Sequence, residues 1–264
     1  MLNKKLLPLA LMAWAIYRHG RGARDICSAK IQPGNCKEKV KPEITGLQVM
    51  GIPNIGNTCY AGAALQLLVR YPGLKIKVGS GELTRLYRDG MSSKQVREFI
   101  QWAVPGRRIG AQEDSHHLIG KVLERALPKD KWIVEKSTIS CCSCGRKSTQ
   151  TSKDSSILLY GESEVSCNES ETVEYRCPDC GANQAIKTTT RTLPRFYVVK
   201  RIGNVPFRYP EKILAAIHHH GIDGSGHYTA VVRNGSSWYR VSDSHHNMVA
   251  NPSLDRATIL LVSR

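Results

Sequence analysis

The alternation of apolar and polar positions divides the chain near Lys131. Before it, apolar residues recur at helical spacing: Ala61, Leu65 and Leu68 within TCYAGAALQLLVRY, Val96, Phe99 and Ile100 within 93–104, and Ile119, Val122, Leu123 and Ala126 within 115–126. Three helices are predicted there. After it come short β-like runs: TVEYRC, AIKTTTRTL, RFYVVKRI, ILAAIHHHG, HYTAVVRNG, SWYRVS and TILLVS. Helices first and strands later predict an α+β domain, with its body from 49 to 264. Ahead of it, the polar stretch 25–48, with Pro33, Gly34 and Pro42, reads as a linker. The first 24 residues hold an apolar run from Leu6 to Tyr17 between Lys4–Lys5 and Arg18, Arg21 and Arg24. As a helix that run covers about 18 Å, against about 30 Å of bilayer hydrocarbon. A short anchor whose basic flanks snorkel to the interface fits the pattern best, with a cleaved leader or a docked amphipathic helix as the alternative.

Charge sharpens this only slightly. The net charge is +16, from 38 Lys and Arg against 22 Asp and Glu. That balance suits an acidic partner or lipid surface as well as nucleic acid, but no nucleic-acid-binding motif accompanies it. A solvated basic surface or a membrane-surface role is therefore expected, and no specific nucleic acid.

The cysteines carry more. Four of the nine form two C-x-x-C pairs, Cys141–Cys144 in CCSCG and Cys177–Cys180 in CPDCG, each followed by glycine. Four thiolates suit a tetrahedral structural Zn²⁺. A redox C-x-x-C is the rival, weakened because no βαβ context surrounds the pairs. Cys27, Cys36, Cys142 and Cys167 read as plain side chains. Cys59 stands alone where PNIGNT turns into the first helix, and a helix start favours a thiolate. A nucleophile there needs a base. His227, between a glycine turn and a strand, is the best placed histidine, and the next strand ends in Ser242-Asp243, which could orient the imidazole. Taken singly, Asn54 reads as a turn former and Asp114 as a helix N-cap.

These stretches together resemble the ubiquitin-specific proteases. GIPNIGNTCYAGAALQ is similar to that family's cysteine box, GHYTAVVRN…WYRVSD to its histidine box, AQEDSHHLIGKVL to its Gln-Gln-Asp box, and LPRFYVVKR to a further family strand, all in the family's order over 51–264. The resemblance implies a papain-like fold with thumb, palm and zinc-ribbon fingers, the fingers at about 131–195. It implies a thiol-dependent deubiquitinase acting on ubiquitin or ubiquitinated proteins. Cys59 would be the nucleophile, His227 the general base and Asn54 the oxyanion donor. Gln112 and Asp114 would meet the basic tail of ubiquitin, and Gly226 and Tyr228 would narrow a channel for its Gly-Gly end. The Cys141, Cys144, Cys177 and Cys180 zinc would be structural.

The match departs from the family at Ser242, where an Asp or Asn usually orients the base; Asp243 follows it. Either residue could serve. Ser-Asp here, together with the N-terminal segment, resembles a mitochondria-anchored branch, which implies an outer-membrane location with the catalytic domain facing the cytosol; a cytosolic location is the alternative. Two other activities stay open: a catalytically weak ubiquitin-binding scaffold, and a protease for a ubiquitin-like modifier.

Overall fold

Helix α1 (Cys59–Leu68) is built from alanines and leucines and is buried on nearly every side, Gly62 being the exception. Such a helix sits inside a core rather than on its surface. A Cβ on Gly62 would meet only the Ile52 side chain, at 3.9 Å, so packing does not demand glycine there. The helix stops at Leu68, before the Tyr71-Pro72-Gly73 turn that ends helical geometry. The computed structural model describes residues 47–203, 205–222 and 225–264. The expected anchor at 1–24 and nearly all of the 25–48 linker lie outside these residues. Among the described residues, no helix is long and apolar enough to cross a membrane.

After α1, strands β1 (Lys77–Val78) and β2 (Gly81–Glu82) pair briefly, and α2 (Leu83–Arg88) follows, a helix too short to show periodicity. Helix α3 (Ser93–Ala103) opens on a capping box between Ser92 and Gln95. Helix α4 (Ser115–Ala126) opens on Asp114, whose side chain accepts the His116 N–H. Both helices lie where the apolar spacing predicts them.

The remainder is strand: β3 (Ile133–Cys141), β4 (Lys147–Asp154), β5 (Ser156–Tyr160), β6 (Asn168–Glu174), β7 (Gln184–Thr192), β8 (Phe196–Ile202), β9 (Ile213–Ile222), β10 (Ser225–Asn234), β11 (Ser237–Ser242), β12 (His245–Val249) and β13 (Ile259–Ser263). Pattern reading misses β3, β4, β5 and β12. Strand β4, KSTQTSKD, is nearly all polar and exposed, so it carries no apolar alternation to find. The run TVEYRC is partly misplaced, since β6 ends at Glu174 and the chain beyond turns into the Cys177 loop.

Two units form. Among the described residues, one contains Lys136–Thr151 and Asn168–Thr190; the other contains 47–135, Ser152–Cys167 and Arg191–Arg264. The first carries most of a four-stranded sheet in the order β4-β3-β7-β6. The second carries a seven-stranded sheet, β12-β11-β10-β9-β13-β8-β5, antiparallel except for the β5–β8 edge. Its central strands are apolar on both faces. Ile217, Ala230, Val232 and Leu261 join the core that contains α1, while Ala216, Val231, Leu260 and Val262 join another on the opposite face. Strands covered on both sides read as continuous hydrophobic runs, which is why VVK and ILAAI were legible.

A buried polar network pins the chain entering α1. Gln66 Nε2 donates to Met50 O (2.7 Å), the Tyr87 hydroxyl donates to Gln66 Oε1 (2.8 Å), and the Met50 N–H donates to Tyr87 Oη (2.8 Å). Arg70 joins through Gln66 Oε1 at 3.1 Å, its guanidinium pulled below its ordinary range by burial. Residues 49–52 are thus held to α1 and α2. At Gly51 the Ser244 backbone comes so close that an added Cβ would lie 2.1 Å from its carbonyl oxygen. Gly51→Ala should therefore destabilise the fold by about 1–3 kcal/mol, measured by urea denaturation, because backbone has to move. An unchanged midpoint would refute that close approach.

Candidate active site

The turn before α1 is drawn together by one side chain. Asn54 Oδ1 accepts the N–H groups of Gly56 (3.2 Å) and Thr58 (3.0 Å) and the Thr58 hydroxyl (3.1 Å). That loop needs left-handed backbone at Gly56 (φ 96°) and Asn57 (φ 49°), residue types that tolerate it. Asn57 is further fixed by donating to Gly110 O at 2.9 Å. The Thr58 hydroxyl accepts from Ile55 N–H at 2.9 Å, so it does not cap α1. Cys59 therefore occupies the first position of a helix with no side-chain cap, where the backbone dipoles favour negative charge. It is a free thiol, buried to 5% exposure.

His227 lies near the start of β10, and its Nε2 is 2.8 Å from Ser242 Oγ at the end of β11. Asp243 does something else. It sits in the β11–β12 turn with φ 50°, its carbonyl accepts the Ile52 N–H (2.8 Å), and its Oδ2 accepts Asn54 Nδ2 (3.1 Å). Of the two residues that could orient the base, Ser242 makes the contact and Asp243 holds Asn54. Among the described residues no hydrogen bond joins Cys59 to His227, although α1 packs directly on β10.

The other candidates fall into two groups. Gln112 Nε2 donates to Gly226 O at 3.3 Å, bringing two of them together. Tyr228 lies 4.5 Å, ring to ring, from His219. A Cβ on Gly226 would lie 2.6 Å from the His220 carbonyl, so close strand packing alone explains that glycine. Asp114 splits its carboxylate: Oδ1 caps α4 through the His116 N–H (2.7 Å) and Oδ2 pairs with Lys200. Burial pushes this carboxyl up, but the Lys200 hydrogen bond and charge outweigh it and hold the group low. His116 is pushed down to about 4, first by burial and then by Lys200, and its Nε2 lies 2.9 Å from Ser156 Oγ. Lys200 and His116 were missed as members of this cluster. Lys200 stands in the LPRFYVVKR run, where an otherwise apolar strand interrupted by lysine was the available signal.

In the other unit the sulfurs of Cys141, Cys144, Cys177 and Cys180 all lie within 4.8 Å of one another, with Cys141–Cys180 and Cys144–Cys177 each at 3.6 Å. A tetrahedron with Zn–S bonds of about 2.3 Å has edges of about 3.8 Å. The donor set therefore fits zinc. Gly145 (φ 71°) and Gly181 (φ 72°) make matching turns, each donating its N–H to the carbonyl of the first cysteine of its pair. The N–H groups of Cys144 and Ser143 draw the Cys141 thiol down to about 6. At Cys144 the Arg146 N–H also pulls down, but hydrogen bonds with Cys180, Cys177 and Cys141 win and push that thiol up to about 12. Cys142 stands outside the cluster, its N–H donating to Gln184 O at 3.1 Å. Cys167 departs from the plain side chain expected of it, being disulfide-bonded.

No protein-family model matches the chain, and no curated protein matches it in sequence. Solved structures do match in fold. A chain of the SAGA DUB module Ubp8/Sgf11/Sus1/Sgf73 bound to monoubiquitin superposes with a TM-score of 0.63 at 17% identity, over 90% of this chain and 72% of that one. A chain of the same module bound to ubiquitin aldehyde gives 0.61 at 16% identity, over 86% and 71%. One from yeast SAGA DUBm gives 0.62 at 15% identity, over 86% and 70%. The chain thus has a fold of the kind found in these deubiquitinase modules.

Proposed function

We propose that this chain is a thiol-dependent deubiquitinase with the thumb, palm and fingers of a papain-like ubiquitin-specific protease. The observation that carries the reading is the meeting of two distant segments: the PNIGNT turn that presents Cys59 is stitched by Asn54–Asp243 to the turn that also supplies Ser242 to His227. In the proposed reaction the Cys59 sulfur attacks the carbonyl carbon of the C-terminal glycine of ubiquitin. The His227 imidazole takes the thiol proton and returns it to the departing amine. The tetrahedral oxyanion is held by Asn54 Nδ2, whose amide has one hydrogen left after bonding Asp243. Collapse expels the amine and leaves a thioester. Water, deprotonated by His227, then releases ubiquitin and restores the thiol. Asp114, with Gln112, receives the basic tail of ubiquitin, and Gly226 and Tyr228 line the passage for its end.

Bound to its four cysteines, zinc would tie together the loops that carry them. A closed four-thiolate sphere keeps no position for substrate, so its role is structural. The same reading takes residues 1–24 as an anchor, 25–48 as a linker and the outer mitochondrial membrane as the site, resting on the sequence resemblance alone.

The test is to treat the purified chain with ubiquitin carrying a C-terminal electrophile. A covalent adduct of one ubiquitin mass is expected, with Cys59 as the modified residue by peptide mass spectrometry. Bound but unreacted ubiquitin would favour a scaffold, which the uncharged Ser242 partner of His227 makes the second reading. Reaction with another modifier's probe, and not with ubiquitin's, would reassign the substrate.

A further inference from the structure

We infer that Lys200 is a built-in competitor for Asp114, which weakens the hold of this position on the basic tail of the substrate. The inference rests on the proposed role of Asp114. What motivates it is that this carboxylate is already occupied. Oδ1 caps α4 and Oδ2 is bonded to the Lys200 ammonium. A basic tail must displace that ammonium before Asp114 can hold it.

Lys200 is well placed to stay in competition. It lies inside β8, which is paired on both sides, with Leu158 of β5 and Ile259 of β13 as its cross-strand partners. Its backbone cannot retreat, so its ammonium remains within reach of Asp114 after displacement. The pair is also exchangeable rather than sealed in, with 28% of the lysine side chain and 43% of the aspartate exposed. Ion pairs of this exposure are weak enough to open. His116 meets Asp114 only through its backbone N–H, its Nε2 lying against Ser156 Oγ, and burial holds its imidazole down to about 4, so it adds no second cation there near pH 7.

Both kinds of tail must break the same resident pair, so Lys200 lowers their affinities by one factor and leaves their own difference in place. A substrate lysine exchanges one ammonium for another and gains nothing in hydrogen-bond geometry. A guanidinium presents a planar fork, and each oxygen of Asp114 keeps a lone pair to meet it, so arginine gains a bidentate contact the ammonium cannot make.

The experiment measures steady-state kinetics of the full chain on fluorogenic ubiquitin with its natural arginine tail and with tail arginines changed to lysine. Lys200→Met and Lys200→Arg are compared with the unaltered protein, their folding checked by thermal melts. The unaltered protein should prefer the arginine tail by about tenfold in kcat/KM. Lys200→Met should lower KM about three- to tenfold for both substrates by a similar factor, leaving the preference in place. Lys200→Arg should raise KM, since the competitor now has the better geometry. An unchanged or raised KM in Lys200→Met, with folding intact, overturns the inference. If the unaltered protein turns over neither substrate, the deubiquitinase reading fails instead. Titrating the same two ubiquitins against the three proteins then reads the competition directly, and equal affinities of the unaltered protein and Lys200→Met, or no binding, overturn the inference as well.

Discussion

Asn54→Ala is expected to lower kcat about 10²- to 10³-fold on a ubiquitin substrate while KM changes little, because an oxyanion donor acts on charge that exists only in the transition state. The inventory of its amide supports that role. The oxygen is consumed by Gly56, Thr58 N–H and the Thr58 hydroxyl, and one nitrogen hydrogen is consumed by Asp243. One donor hydrogen remains. Asp243 should then matter through Asn54, as a positioning residue. Asp243→Ala should cost about tenfold or more in kcat, and the Asn54→Ala/Asp243→Ala pair should be far from additive, since both remove one interaction. Ser242→Ala should act separately. It removes the partner of His227 Nε2, so its loss should add to that of Asn54→Ala and alter the pH profile of kcat/KM, which Asp243→Ala should leave in place. Additive losses between Asn54 and Asp243, or a KM effect from Asn54→Ala, would remove the oxyanion assignment.

That division between Ser242 and Asp243 could not be read from the sequence, where the two residues are adjacent and either could face the imidazole. It depends on register. Val241 pairs with Ala230, which places Ser242 diagonally across from His227, and a left-handed Asp243 then turns its side chain to the 51–54 segment. Register and turn conformation are long-range outcomes that local pattern does not carry. What was legible followed simple rules. Helices α3 and α4 were found because their apolar faces repeat at helical spacing, and β8, β9, β10 and β13 because buried strands are continuous apolar runs. The exposed polar strand β4 had no such mark. Gly51 and Gly226 look like ordinary loop or turn residues until the chain that crowds them is in place. The clustering of Cys141, Cys144, Cys177 and Cys180 was legible because C-x-x-C followed by glycine encodes its own local turn, whatever surrounds it.

Removing zinc should have the largest structural effect. The purified chain is expected to hold one zinc per molecule, and chelation or Cys177→Ser should abolish amide-exchange protection in Lys136–Thr151 and Asn168–Thr190. The reason is compositional. β4 is almost wholly exposed and β6 mostly polar, so that unit has little apolar surface with which to offset the entropy of ordering its strands. Zinc sites of this kind supply about 10–16 kcal/mol of apparent binding free energy in small peptides, far more than such a surface could. Without the ion the four sulfurs meet at distances that oppose joint ionisation, so the same contacts that favour holo protein disfavour apo protein. The α1-containing core, which has its own buried cluster, should keep its protection, and Cys59 should still alkylate with a small thiol reagent. A protein purified without zinc that retains full protection in the cysteine-bearing unit would show that hydrogen bonding alone sustains those strands.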